Sequence, residues 1–578
     1  MPGIPPVSAP HDERKPARSA SRPPATRVEP NVTPIATEPP SPLPSGLTPW
    51  PAETAARYAA SGHWDGRTLG ALLRDWTARY GDRLAIAAGR ERLTYRQLDE
   101  RADRMAAGLA DLGIRAGDRV LVQLPNTGAF PVLFFALARL GAIPALTLPA
   151  HRLTEIGHLA RLSGAVAYVI ADEYAAFDYR ELAAAVQAEA PELRHVLVAG
   201  DPGPYTALAK IDAEPRDFPE PDPADVALLL VSGGTTGVPK LIPRTHNDYG
   251  YNARASAEAC ELSDETVYLA CLPIAHNFPL ACPGMLGTLS VGGRVVLSPS
   301  PAPGDVFPLI EAERVTHTAL VPPLIPLWID AAEWDPADIS SLRVLQAGGS
   351  KLSADLARAI PDALGCSVQQ VFGMAEGLLN YTRPDDDAET VALTQGRPLS
   401  ADDELRIVDA DGRPVAPGEP GELLVRGPYT LRGYYRAPEV NATAFTPDGF
   451  YCSGDLVRRL PSGHLIVEGR VKDTIDRNGE SVSAEEVEGH VTAHPQVRRC
   501  AAVGLPDPAG EGERICAVVV PSGSTPTVQA LRAFLLERGV AAFKLPDRVE
   551  TVADLPLTAI GKIDKKALRR MLAERDGA

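Results

Sequence analysis

Between residues 93 and 113 the chain reads "LTYRQLDERADRMAAGLADLG", with Leu98, Ala102, Met105, Leu109 and Leu112 at 4-3-4-3 intervals. That spacing puts the apolar side chains on one face of a helix, Thr94 and Gln97 have the separation of a capping box, and Gly113 supplies the stop. The segment is predicted to be an amphipathic helix. A second pattern recurs along the chain in short β-rich runs: "RVLVQL" (119–124), "AVAYVIA" (165–171), "HVLVAG" (195–200), "VALLLVS" (226–232), "RVVLS" (294–298) and "LRVLQAGG" (342–349). These alternate with helical patterns, which predicts a layered α/β domain with largely parallel strands. "AFPVLFFALA" at 129–138 is apolar but too short to span a bilayer and carries Pro131, so it reads as a core helix.

After Gly469 the character changes. "SAEEVEGHV", with Ser483 and Glu486 in capping-box spacing, opens a helix, and "CAAVGL", "ICAVVV" and "VQALRAFLLERG" complete a compact α+β unit of about a hundred residues. The expected organisation is a Pro-rich disordered extension over 1–49, a large α/β domain over 50–469 and a small α+β domain over 470–578. The extension is rich in Pro, Ser, Thr and isolated Arg and has no apolar period with which to offset the cost of ordering. Its acidic residues Asp12, Glu13 and Glu29 speak against a transit peptide, and no apolar signal core is present.

Composition narrows the class. At 578 residues and 45% hydrophobic content the chain is expected to hold more than one core. The formal charge of −17, from 57 basic and 74 acidic residues, argues against nucleic acid or an anionic membrane as partner. Seven scattered cysteines without a C-x-x-C pair suggest neither a disulfide framework nor a zinc site, and fit a reducing cytoplasm.

The candidate chemistry begins at "VSGGTTGVPKLIPRT" (231–245). Gly233, Gly234 and Gly237 free backbone N–H groups to point at an anion, Ser232, Thr235 and Thr236 add hydroxyl donors, and Lys240 adds charge. Phosphate is the natural guest. The run is not a Walker A sequence, because Val238-Pro239 follows Gly237 where that motif needs Lys-Ser/Thr, so a non-helical clamp is expected.

Further motifs follow in fixed order: "GMAEG" (373–377), "YCSGDL" (451–456), "GRVKDTI" (469–475) and "LTAIGKIDKKAL" (557–568). Together with the glycine loop they resemble the adenylate-forming superfamily, from about Trp50 to the C-terminus. "KLIPRTHNDY", "AHNFPLACPG" and "QQVFGMAEGLLNYTR" look like the stand-alone aryl-acid adenylating enzymes of siderophore assembly, and most like the salicylate-activating members of mycobactin type. The resemblance implies a two-step reaction: an aryl carboxylate attacks the α-phosphate of ATP, with Mg²⁺, to give an acyl-adenylate and pyrophosphate, and the phosphopantetheine thiol of an aryl carrier protein then takes the acyl group.

It also implies roles. Lys562, at the tip of "LTAIGK", would stand between carboxylate and phosphate, with His276 as its catalytic companion. Asp455 would accept from the ribose hydroxyls and Arg470 would donate to ribose or phosphate oxygens, consistent with their acceptor and forked-donor chemistry. Gly348, Gly349, Val371, Phe372, Gly373, Met374 and Ala375 would line the nucleotide slot. Glu376 would hold magnesium, which prefers few carboxylates plus phosphate oxygens. The small domain would be mobile, turning about Lys472 and Asp473 between the two steps, with Gly479 lining a pantetheine tunnel and Arg498 and Arg499 offered to the carrier protein.

At the aryl end the resemblance assigns His276, Asn277, Phe278, Cys282, Gly349 and Leu379, with the Asn277 amide on an ortho hydroxyl. Cys282 and Leu379 stand where relatives taking 2,3-dihydroxybenzoate typically carry serine and valine. More carbon and a weaker hydrogen-bonding atom disfavour a second hydroxyl, so salicylate is expected. 2,3-Dihydroxybenzoate, another aryl acid or an aryl-CoA product remains the alternative. A nucleotide-binding protein that has lost its chemistry is the rival class, opposed by the joint presence of Lys562, Glu376, Asp455 and Arg470.

Overall fold

The structure, a computed structural model, describes residues 46–232, 239–477, 480–507, 513–538, 540, 542–558 and 561–576. The expected 1–49 extension lies almost wholly outside them. At Gly46, the first described residue, the carbonyl accepts from the Arg436 N–H at 3.0 Å.

All six β-rich runs form strands. Arg119–Gln123, Ala167–Ala171, His195–Ala199 and Val226–Val231 fall in a seven-stranded sheet, and Arg294–Leu297 and Val344–Gly348 in a nine-stranded one. The centres of both sheets are parallel, as alternation with helices requires; antiparallel strands close both ends of the nine-stranded sheet and one end of the seven-stranded sheet. Between the sheets sit the apolar helices. Ala129–Leu140 is buried along its whole length after Ala129, and Tyr95–Asp111 carries the expected capping box with Leu98, Ala102 and Leu109 inside.

A four-stranded antiparallel sheet that the strand pattern did not announce follows: Glu404–Val408, Gly421–Arg426, Tyr451–Arg459 and Leu465–Arg470. Burial alternates along Tyr451–Arg459, and its buried face carries Tyr451, Ser453 and Asp455.

The small domain is a three-stranded sheet buried on both faces. Cys500, Ala502, Ile515, Ala517 and Val519 pack against Val487 and Val491 of the helix Ala484–Thr492 and Leu531 and Leu535 of Val528–Glu537. Their neighbours Ala501, Val503, Cys516 and Val518 pack on Leu568 and Leu572 of Lys565–Asp576. The period of two assigns alternate residues to the two cores. The capping box at Ser483 is only half made: its hydroxyl accepts from the Glu486 N–H at 3.4 Å, but the Glu486 carboxylate turns to Lys544 Nζ at 2.5 Å. Arg499 is also not the free surface cation expected, since it pairs with Asp554 at 2.7 Å. Among the described residues no helix is long and apolar enough to cross a membrane.

Candidate functional site

The strands Val226–Val231 and Leu241–Thr245 flank the glycine loop as antiparallel neighbours, so the chain goes on from that stretch as a strand. The base of the loop is clasped by two bonds: the Ser232 N–H donates to the Lys240 carbonyl at 2.9 Å, and the Lys240 N–H donates to Ser232 Oγ at 3.0 Å. Gly233, Gly234, Thr235, Thr236 and Gly237 lie outside the described residues, as does Gly479.

Val231, Ser232 and Lys240 border a cavity of about 510 Å³ with a charged end and an apolar end. At the charged end Lys240, Glu376, Arg470, Lys472 and Lys562 reach the wall. Arg470 Nε holds Asp455 Oδ1 at 2.7 Å, which leaves Asp455 just behind the wall, 3% exposed. Its Oδ2 is buried and has no partner among the described residues. Burial raises the Asp455 pKa, and Arg470 and then Lys562 pull against that rise. A bare carboxylate oxygen of this kind costs free energy unless a donor arrives, and vicinal hydroxyls are suitable donors.

Lys562 is half-buried, and its ammonium is pulled down to about 8 by burial and then by Arg470, while Asp455, Glu376 and Glu485 oppose the fall. His276 feels the Lys562 charge from the other side. Burial first, then Lys562, pushes its imidazole down to about 4. His276 Nδ1 accepts the Phe278 N–H at 3.2 Å as the cap of the short helix Asn277–Ala281, which fixes the neutral ring with its proton on Nε2.

The strand Ser367–Met374 runs past the middle of the cavity, with Val371, Gly373 and Met374 on the wall, followed by Ala375 and Glu376. Arg244, fully buried and paired with Asp248 at 2.6 Å, donates to the Ala375 carbonyl at 3.0 Å and pins this turn. Phe372 does not line the cavity. Gly348 is likewise off the wall, but a Cβ there would lie 3.0 Å from Phe278 Cζ, so it makes room for a ring that does line the site. Gly349, at φ +88°, reaches the wall. Asp473 is off the wall too, and lies 3.7 Å from Arg569.

The apolar end is made of Asn277, Phe278, Cys282 and Leu379. Cys282 and Leu379 are 1% and 2% exposed. Asn277 is not a free amide: its Oδ1 accepts from Tyr249 Oη at 2.9 Å and its Nδ2 donates to Cys282 Sγ at 3.2 Å. One N–H of the amide remains for a ligand. Cys282 therefore orients Asn277 as well as lining the wall.

Two tyrosines complete the charged end. Tyr434 Oη donates to Glu376 Oε1 at 2.8 Å and meets Tyr451 Oη at 2.9 Å, while Lys240 Nζ lies 4.8 Å from the Tyr434 ring centroid. Tyr451 stands in the quoted "YCSGDL", but nothing in the spacing marks Tyr434. Among the described residues no cluster of three or more His, Cys, Asp or Glu is arranged to hold a metal by itself. An ion at Glu376 would thus draw its remaining ligands from phosphate and water, as magnesium does.

Residues 73–435 match the AMP-binding enzyme family and residues 486–562 its C-terminal domain. The chain belongs to the family of AMP-binding enzymes. It is an ATP-dependent acid-activating ligase. The chain is 54% identical over 530 residues to the 2,3-dihydroxybenzoate-AMP ligase of Bacillus subtilis, covering 92% of this chain and 98% of that one. It is 54% identical over 540 residues to the salicyl-AMP ligase / salicyl-S-ArCP synthetase of Mycobacterium tuberculosis, covering 92% and 95%. The apo structure of Mycobacterium smegmatis MbtA matches with a TM-score of 0.72 at 53% identity, over 91% and 98% of the two chains. In this AMP-binding enzyme, motifs separated by hundreds of residues meet on one cavity.

Proposed function

We propose that this AMP-binding enzyme activates salicylate with MgATP to salicyl-AMP, releasing pyrophosphate, and then passes the salicyl group to the phosphopantetheine thiol of an aryl carrier protein, in the cytoplasm, for siderophore assembly. The observation that carries the reading is one cavity lined by Lys562, Glu376 and Arg470 together with His276, Asn277, Cys282 and Leu379.

In the first step a carboxylate oxygen bonds to the α-phosphorus and the bond to the departing pyrophosphate oxygen breaks. Two anions have to meet, and the Lys562 ammonium offsets the charge that builds between them. Asp455 Oδ2 takes the ribose hydroxyls, and Arg470, held by Asp455 Oδ1, keeps its remaining donors for phosphate or ribose oxygens. Glu376 would hold magnesium, which would supply positive charge to offset that of the phosphates. In the second step the thiol sulfur bonds to the acyl carbon and AMP leaves, with the small domain turned about Lys472 and Asp473.

At the aryl end the free N–H of Asn277 meets the ortho oxygen, and Cys282 and Leu379 leave carbon and a committed sulfur where a 3-hydroxyl would need a partner. The relatives at equal identity are named for both acids, so the choice rests on those two side chains. ATP–pyrophosphate exchange with salicylate, 2,3-dihydroxybenzoate and benzoate tests it: salicylate is expected to give the highest kcat/KM, and preference for the dihydroxy acid would overturn the assignment.

A further inference from the structure

At Leu379 the outer side of the wall strand Leu378–Tyr381 lies beyond the last strand pair, and only its carbonyl finds a backbone partner there, accepting from the Leu399 N–H at 2.8 Å. Leu379 lies opposite Gly373 of the strand Ser367–Met374, and the next strand, Arg397–Pro398, pairs only with Asn380 and Tyr381. Its outward N–H therefore has no strand to meet, and an unmet buried N–H is costly. Tyr429 fills the place: the Leu379 N–H donates to Tyr429 Oη at 3.1 Å, and Tyr429 Oη donates to Asp403 Oδ2 at 2.7 Å. Asp403 Oδ2 is itself held by the Ser400 N–H at 3.0 Å.

The hydroxyl thus accepts from the wall and donates to the carboxylate, so its direction is fixed from both sides. Tyr429 is fully buried and does not line the cavity. The residues after it grip the same stretch. Thr430 Oγ1 donates to the Gly377 carbonyl at 2.7 Å, and the Leu431 N–H donates to the Glu376 carbonyl at 2.7 Å. A Cβ on Gly377 would lie 2.0 Å from the Tyr429 carbonyl oxygen, and one on Gly373 would lie 2.4 Å from Leu379 Cδ2. The wall has no slack at either glycine, so a shift of the Leu379 backbone moves its side chain within the aryl end.

We infer that Tyr429, anchored by Asp403, is a positioning residue for aryl-acid selectivity, acting through the Leu379 backbone. The inference rests on the aryl-acid reading of the site. Without the hydroxyl, the Leu379 N–H loses its partner and the wall relaxes, which widens the space beside the ring. The nucleotide end keeps its own ties at Glu376 and Ala375.

The test is pyrophosphate exchange with wild type, Tyr429→Phe, Asp403→Asn and Asp403→Ala. Tyr429→Phe is expected to raise the salicylate KM about tenfold and relax the salicylate preference over 2,3-dihydroxybenzoate severalfold, with the ATP KM within about twofold of wild type. Asp403→Asn keeps an acceptor for the tyrosine and is expected to retain wild-type values. Asp403→Ala leaves the tyrosine in place but frees its hydroxyl, and is expected to fall between. An unchanged salicylate KM and preference in Tyr429→Phe would overturn the inference, as would equal rises in both KM values with a lowered Tm. Should Tyr429→Phe not fold, Asp403→Ala decides on the same criteria. A wild type that exchanges with no aryl acid sinks both readings, whereas an active wild type with a neutral Tyr429→Phe sinks only this one.

Discussion

The two ends of the cavity are built on opposite terms. At the nucleotide end charges gather with incomplete partners: Asp455 Oδ2 has no partner among the described residues, Lys562 is pulled down by burial, and Arg470 is held through one nitrogen of its fork. At the aryl end the polar groups are already engaged, Asn277 by Tyr249 and Cys282, and Leu379 by Tyr429. The first end waits for the charge and hydroxyls of its ligand, and the second offers shape and one spare N–H. Losing a group at the first leaves an uncompensated charge where the reaction happens, while changing one at the second alters fit by a contact or a hydrogen bond. Catalysis should thus be fragile at one end, and selectivity adjustable at the other.

The sharpest break of that comparison is Lys562→Ala. Adenylate formation, read as pyrophosphate exchange, is expected to fall by about a thousandfold or more, because the ammonium that offsets the charge between the two anions is lost. Transfer from supplied salicyl-AMP to a pantetheine thiol is expected to stay within about tenfold of wild type, since that step does not join two anions. Equal loss of both steps would contradict the assignment of the lysine to one of them.

The next effect is smaller and lies at the other end. Cys282→Ser with Leu379→Val adds a hydroxyl and removes carbon beside the ring, and the ratio of kcat/KM for salicylate to that for 2,3-dihydroxybenzoate is expected to shrink or invert. An apolar wall rejects an added hydroxyl by about a hundredfold at most, which bounds the change. Because Cys282 Sγ accepts from Asn277 Nδ2, the serine has to keep that bond, and Cys282→Ala should cost salicylate affinity as well as selectivity. A double variant with the wild-type ratio would show that these side chains do not set the choice.

How much of this was legible in the sequence differs between fold and site. The six β-rich runs, the helix at Tyr95–Asp111 and the small α+β unit follow from apolar spacing, because burial on one face imposes a period. The antiparallel sheet that carries Asp455 and Arg470 does not, since its strands mix buried and half-buried positions with charged ends. Motif order brought Lys562, Glu376, Arg470 and Lys240 to one place. It did not show that Asp455 sits behind Arg470, that Asn277 is already engaged, or that Tyr434 closes on Glu376. Periodicity reports which face is buried and not which distant group the buried atom meets. Tyr434 and Glu376 are 58 positions apart, and Tyr429 and Leu379 are 50 apart.

The last and mildest effect is a pH dependence that belongs to the charged end alone. Lys562 acts as a cation, so its contribution is present when protonated and is lost as pH rises through its pKa. Burial and Arg470 bring that value down to about 8 from the usual lysine range. The pH profile of kcat/KM reports the free enzyme, and that of adenylation is therefore expected to fall above about pH 8, approaching tenfold per unit. His276, pushed down to about 4, is neutral throughout that range and cannot produce the limb. Lys562→Arg keeps the charge with a guanidinium that does not titrate below about pH 12, so its residual adenylation should lose the alkaline fall. Transfer from supplied salicyl-AMP should show no fall near pH 8, because Lys562 has no charge to supply there and a thiol becomes more nucleophilic as it ionises. An adenylation rate that holds steady from pH 7 to 9.5, or an unchanged alkaline limb in Lys562→Arg, would place the titrating group elsewhere and remove the strongest contrast between the two ends.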